Sequence, residues 1–138
     1  MKIQWHGHSC FSIHTSSGFH GVTDPCDPGT GYEIHIQNPD IVTLSHSHHD
    51  HNYLPAVSGN PKVIQTKGPF QIKDVRIQGF PSFHDKQNGA LRGPNMIYLF
   101  EGDGIRLLHL GDLGHLPSKE LLREIGSIDI LLCPVGGI

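Results

Sequence analysis

The residues best equipped for chemistry lie between positions 43 and 52, TLSHSHHDHN, where four histidines and an aspartate follow an apolar run. Histidine is a common metal ligand because its neutral imidazole is available near pH 7. His46 and His48 are two positions apart, so on extended backbone their side chains leave on the same side and can chelate one ion. If the chain then turns into a helix near Tyr53, Asp50 and His51 are re-aimed and can serve a second ion. Imidazole and carboxylate without thiolate suit Zn, with Mn or Fe as alternatives, better than a Cys-rich structural site. The plain alternative is a solvated polar loop, against which stand the placed Asp and the strand-like run before it. His49 falls between the expected ligands and is set aside.

Two other stretches could complete such a site. His84 stands in GFPSFHD, where a strand meets a turn. Alone it would more often be a satisfied polar histidine. As a third ligand it would leave a position open for water, which a hydrolytic metal needs. Asp112, in LLHLGDLGH, sits just past a strand end, where a carboxylate can bridge two ions or simply cap a turn. His109 reads as buried strand packing, and His115 as a group behind a ligand or facing substrate. Asp24-Pro25 reads as a turn former, or else Asp24 accepts the N–H of a ligand imidazole. Cys10 near His8 could make a nucleophile–base pair, but no third orienting group is in view.

The elements that must position these groups are short. Residues 2–5, 10–14 and 21–23 read as an opening meander, broken at Gly18 and closed by Asp24-Pro25. Residues 25–39 read as a Pro- and Gly-rich loop, and 40–44 as a strand running into the histidines. A short helix is expected over 53–58, then strands over 62–65, 74–79, 95–101 and 105–109, with Gly102-Asp103-Gly104 as a hairpin turn. Ser118 can cap a helix whose apolar residues are Leu121, Leu122 and Ile125 and whose stop is Gly126. A last strand over 128–133 runs into Pro134 and Gly136-Gly137. This order predicts one α/β domain built around sheets.

Composition narrows the function. Charged residues make only 17% of the chain, and 17 Gly and 10 Pro among 138 residues fit a turn-rich globular fold. A net charge of −3 without a basic run disfavours nucleic acid as a partner, though not one phosphate on a small molecule. No stretch approaches the roughly 20 apolar residues that cross a bilayer. The N-terminus alternates like a strand, with no signal-peptide apolar run. Three cysteines without a CxxC pair suit a reducing cytoplasm. The 12 histidines are the outlying number and favour a transition-metal site.

HSHHDH, His84 and Asp112 together resemble the HxHxDH, downstream His and bridging Asp of the metallo-β-lactamase superfamily. The opening WHGHSCFSI followed by TDP resembles its branch of small bacterial metal-dependent hydrolases, similar to the ascorbate-phosphate lactonases. The resemblance implies an αββα sandwich over residues 1–138, C-terminally incomplete. Family members continue beyond PVGG to a further histidine ligand of the second ion. It implies a first metal on His46, His48 and His84, and a second on Asp50 and His51, with Asp112 bridging. Asp50 would also be catalytic, orienting a metal-bound hydroxide toward an ester, lactone or phosphoester bond of a small-molecule substrate. One or two Zn ions are the implied cofactor. The missing C-terminal ligand leaves a second reading, a non-catalytic or degenerate metal-binding domain. A di-iron redox reading fits less well, because those relatives resemble HxExD whereas His48 and His51 suit hydrolysis.

Overall fold

Alternating apolar side chains build two sheets. In the first, β1 (Lys2–Gly7), β2 (Cys10–His14), β3 (His20–Thr23), β4 (Ile41–Thr43) and β5 (Lys62–Ile64) lie side by side in sequence order. The first three form an antiparallel meander, and β3, β4 and β5 run parallel. All three residues of β4 are buried, as expected for a parallel strand covered on both faces. The second sheet holds β6 (Phe70–Ile72), β7 (Val75–Phe83), β8 (Pro94–Gly102), β9 (Ile105–His109) and β10 (Ile130–Leu132), antiparallel except for the parallel β9–β10 pair. The computed structural model describes residues 1–136; Gly137, expected in the closing Gly-Gly, and Ile138 lie outside the described residues.

The sheets pack face to face. Ile13, Phe19, Ile41 and Ile64 from the first meet Val75, Ile77, Tyr98, Phe100 and Leu107 from the second. Because successive strand residues point to opposite faces, Ile97 and Leu99 leave β8 on the outer side. There they join Phe80, Leu108 and Ile125 of α1 (Lys119–Ile125). Ser118 Oγ caps this helix by accepting from Leu121 N, and Gly126 ends it, both as the sequence predicts. On the outer face of the first sheet, Val22, Val42 and Leu44 are covered by Cys26, Ile34, Ile36 and Ala56 from loops. The chain is thus an α/β sandwich of the αββα kind, with α1 as its one α-helix among the described residues. No helix among them is long and apolar enough to cross a membrane. Ile77 is fully buried, so Ile77→Val should cost about 0.5–1.5 kcal/mol of stability in urea unfolding.

Three local expectations need correction. The helix over 53–58 is a single 3-10 turn, Leu54–Ala56. Pro55 supplies no N–H, and Val57 turns extended to bridge Ile36. β7 runs on to Phe83 rather than ending at Gly79. β6 reaches only residues 75–77, so Pro81 sits where one side of β7 has no strand neighbour and tolerates a missing donor. β6 itself was not expected; it pairs with β7 through a tight turn in which Lys73 has φ 51°.

Candidate metal centre

The polar cluster gathers where β3, β4, β7 and β9 end, beside the β1–β2 turn. Its buried floor is Asp24, which follows β3 with a left-handed φ of 35° and is fully buried. Asp24 N donates to Thr43 O, locking it against the end of β4. Its Oδ1 accepts from Ser45 N at 2.8 Å, and its Oδ2 accepts from Ser45 Oγ at 2.5 Å and His51 Nδ1 at 2.8 Å. Since Ser45 Oγ gives its proton to Asp24, it accepts from His46 Nδ1 at 2.8 Å. One carboxylate therefore fixes both imidazoles with their Nε2 atoms turned to the centre, as the Asp24 alternative in the sequence anticipates.

Asp112 enters from the end of β9. Gly111 has φ 60° and lies so close to Ser45 and Asn95 that a Cβ would fall 2.5 Å from Ser45 Cβ. Asp112 N donates to Asn95 Oδ1, while Asn95 Nδ2 donates to Ser82 Oγ and Leu110 O. Gly114 packs against the backbone of His84, where a Cβ would lie 2.2 Å from the carbonyl carbon. Asp112 Oδ2 comes within 2.9 Å of His84 Nε2, 3.1 Å of His51 Nε2 and 3.6 Å of His46 Nε2.

Two donor groups result. His46, His48 and His84 offer ligand atoms within 4.8 Å of one another, and so do His8, Asp50 and His51. Asp24, His46 and His51 satisfy the same spacing, but both Asp24 oxygens are already engaged. His46 Nε2 is buried and has no hydrogen-bond partner. Burial and the neighbouring His51 push the His46 pKa down to about 4, so a bare lone pair faces the Asp112 carboxylate at neutral pH. That is a costly arrangement which a cation between them would relieve. His51 is opposite in sign: burial lowers its pKa, but the Asp112 and Asp24 carboxylates outweigh it and raise it to about 10. Burial works to raise Asp112, yet His51 holds it well below the usual carboxylate range. In this state the His51 proton supplies the positive charge the two carboxylates require.

The cluster opens into a cleft of ≈1070 Å³ whose walls include Leu91, Leu113, Lys86 and Arg92. Asp85 shapes that wall. Its oxygens accept from the backbone N–H groups of Gln87, Gly89, Leu91 and Arg92 at 2.7–3.0 Å. Burial works to raise the Asp85 pKa, but these donors outweigh it and hold it at about 2. A folded pKa below the unfolded value of about 3.9 stabilises above that value and ceases to as pH falls through the folded one. The Tm gap between wild type and Asp85→Asn should therefore be full at pH 5 and close toward pH 2.

All six residues expected as ligands meet here: His46, His48, Asp50, His51, His84 and Asp112. The reason given for His46 and His48 needs amending, since the backbone is bent there, not extended, and their rings sit 4.6 Å apart. His49 points outward to Asp27. His109 is buried as expected, with Nε2 on Ser9 Oγ. His115 faces no cleft group: its Nε2 accepts from Phe83 N and its Nδ1 donates to Leu116 O. Cys10 is buried in the core, and burial raises its thiol pKa, which removes it as a nucleophile. The residue missed as a donor is His8; its signal was a histidine in a Gly-His-Ser turn between two strands.

A sandwich with this cluster at its strand ends matches a known class. The family model described as the Beta-lactamase superfamily domain fits residues 2–138, and the chain belongs to that metallo-β-lactamase superfamily. A UPF0173 protein of Pyrococcus abyssi is 34% identical, and the match covers 99% of this chain and 71% of that one. A UPF0173 metal-dependent hydrolase of Methanoculleus marisnigri is 29% identical over 99% of this chain and 69% of its own length. Among solved structures, a candidate Zn-dependent hydrolase of the superfamily from Thermotoga maritima superposes with a TM-score of 0.79 at 42% identity. That match covers 99% of this chain, which spans 62% of the Thermotoga protein.

Proposed function

We propose that residues 1–138 act as one unit of a metal-dependent hydrolase, in which His46, His48 and His84 hold a first ion, Asp50 and His51 a second, and Asp112 bridges them. The observation that carries this reading is His46 Nε2, buried without a hydrogen-bond partner beside the donor atoms of His48, His51, His84 and Asp112. Imidazole and carboxylate without thiolate suit Zn, with Mn or Fe as alternatives. Bound ions would supply Lewis acidity and bring the pKa of a water toward 7. Asp24 and Ser45 keep protons on Nδ1 of His51 and His46, so the His46 Nε2 lone pair is free for ligation and that of His51 would become so once an ion displaced its second proton. Asp50, its side chain 30% exposed and lining the cleft, would also orient the attacking water. The cleft admits a small molecule with an ester, lactone or phosphoester bond, and Lys86 and Arg92 suit one that also carries an anionic group. A non-catalytic metal-binding domain is the weaker reading, since relatives carry the name metal-dependent hydrolase.

The test is hydrolysis of p-nitrophenyl acetate and bis(p-nitrophenyl) phosphate before and after dialysis against a chelator. Activity should vanish with the metal and return on adding Zn²⁺. Turnover that persists after elemental analysis finds no metal would overturn the proposal.

A further inference from the structure

The geometry points to His8 as a metal ligand, completing the second ion's donor set through Nε2 alongside Asp50 and His51; this rests on the two-ion reading above. His8 Nε2 lies 3.0 Å from Asp50 Oδ2 and 3.2 Å from His51 Nε2. His51 Nε2 in turn lies 3.6 Å from Asp50 Oδ2. With Zn–N bonds of about 2.0–2.1 Å, tetrahedral ligand atoms stand about 3.3–3.4 Å apart. The three edges bracket that spacing, and Asp112 Oδ2, 3.1 Å from His51 Nε2, adds a fourth donor.

The turn that carries His8 is built to aim it. The β1–β2 register shifts between Trp5 and Gly7, and Gly7 takes φ 131° under the Tyr32 ring. His8 itself adopts φ 52°, a left-handed conformation uncommon outside glycine. Strain of this kind persists only where surrounding contacts enforce it, and it clusters at functional sites. Here Trp5 Nε1 donates to His8 O at 3.0 Å, Thr23 Oγ1 donates to Ser9 O, and Ser9 Oγ meets His109 Nε2. The His8 carbonyl and the Ser9 that follows it are thus tied down, while the His8 imidazole is left for Asp50 and His51. A mere surface ion pair would need no such turn.

The experiment is titration of metal-free full-length chain with Co²⁺, read by visible absorption, with Zn²⁺ stoichiometry from elemental analysis. His8→Asn and His8→Gly remove the imidazole but accept the left-handed φ. Wild type should bind two equivalents. Both variants should keep the first with its spectrum unchanged, which also reports folding. They should weaken the second by more than the roughly 10–100-fold that losing a supporting contact costs, and should shift its Co²⁺ bands. Second-equivalent binding left intact in both variants would overturn the assignment, whereas a wild type that takes up one ion only would bring down the two-ion reading on which it rests. A wild type that binds no metal would instead bring down the proposed function itself.

Discussion

Asp112→Ala should release both ions and reduce hydrolysis of bis(p-nitrophenyl) phosphate by about 10³-fold or more. The estimate follows from several kcal/mol of transition-state charge stabilisation supplied by bound metal, at tenfold in rate per 1.36 kcal/mol. Among the described residues, no other carboxylate oxygen stands within reach of His46, His51 and His84 together, as Asp112 Oδ2 does. Its negative charge is what would make two adjacent cations tolerable. Asp112→Asn keeps the shape and the backbone bond to Asn95 but removes the charge, so it should retain the fold and still lose metal. Elemental analysis beside the rate measurement decides the matter: an Asp112→Ala chain that keeps two ions per molecule would contradict a bridging role.

The second large effect is on stability. Asp24→Ala should destabilise the metal-free chain by about 3–5 kcal/mol, the cost of removing one partner from a buried charged pair. It would strand Ser45 N–H, the Ser45 hydroxyl and His51 Nδ1 without an acceptor in a fully buried position. Asp24→Asn is more informative about the site. Its Oδ1 can still accept from Ser45 N, but its amide would face His51 Nδ1 and favour the tautomer protonated on Nε2. The ion-bound imidazole, which must keep its proton on Nδ1, would lack the acceptor it has in wild type, so Zn²⁺ affinity should fall by about 10–100-fold while the fold survives. Denaturant unfolding separates the first effect, and competition with a chelator the second. Equal Zn²⁺ affinity in wild type and Asp24→Asn would show that Asp24 acts on folding alone.

The donor cluster was legible because it is nearly continuous: four of the six expected donors fall between His46 and His51, and donor chemistry reads directly from residue type. His84 and Asp112 were legible as polar residues just beyond apolar strands. Helix α1 announced itself at both ends through Ser118 and Gly126. What stayed hidden depends on contacts distant in sequence. His8 becomes a donor only because the β1–β2 turn meets residues more than forty positions away. Asp24 read either as a turn former or as an imidazole acceptor, because nothing local says that Ser45 and His51 will close over it. His115 resembles a site residue in composition, yet the β7 end captures its ring through Phe83 N. β6 escaped because a three-residue strand owes its pairing to β7 more than to its own pattern.

Asn95 gives Asp112 a property that its place after β9 would not suggest. The Asp112 amide proton is held by a side chain rooted in β8 and tied in turn to Ser82 of β7 and the carbonyl of Leu110. For that proton to exchange with solvent, the strand ends must part, so its exchange should be as slow as that of strand amides nearby. A residue outside the strands thereby inherits the lifetime of the sheet, and the carboxylate it carries fluctuates with the sandwich instead of with the loop.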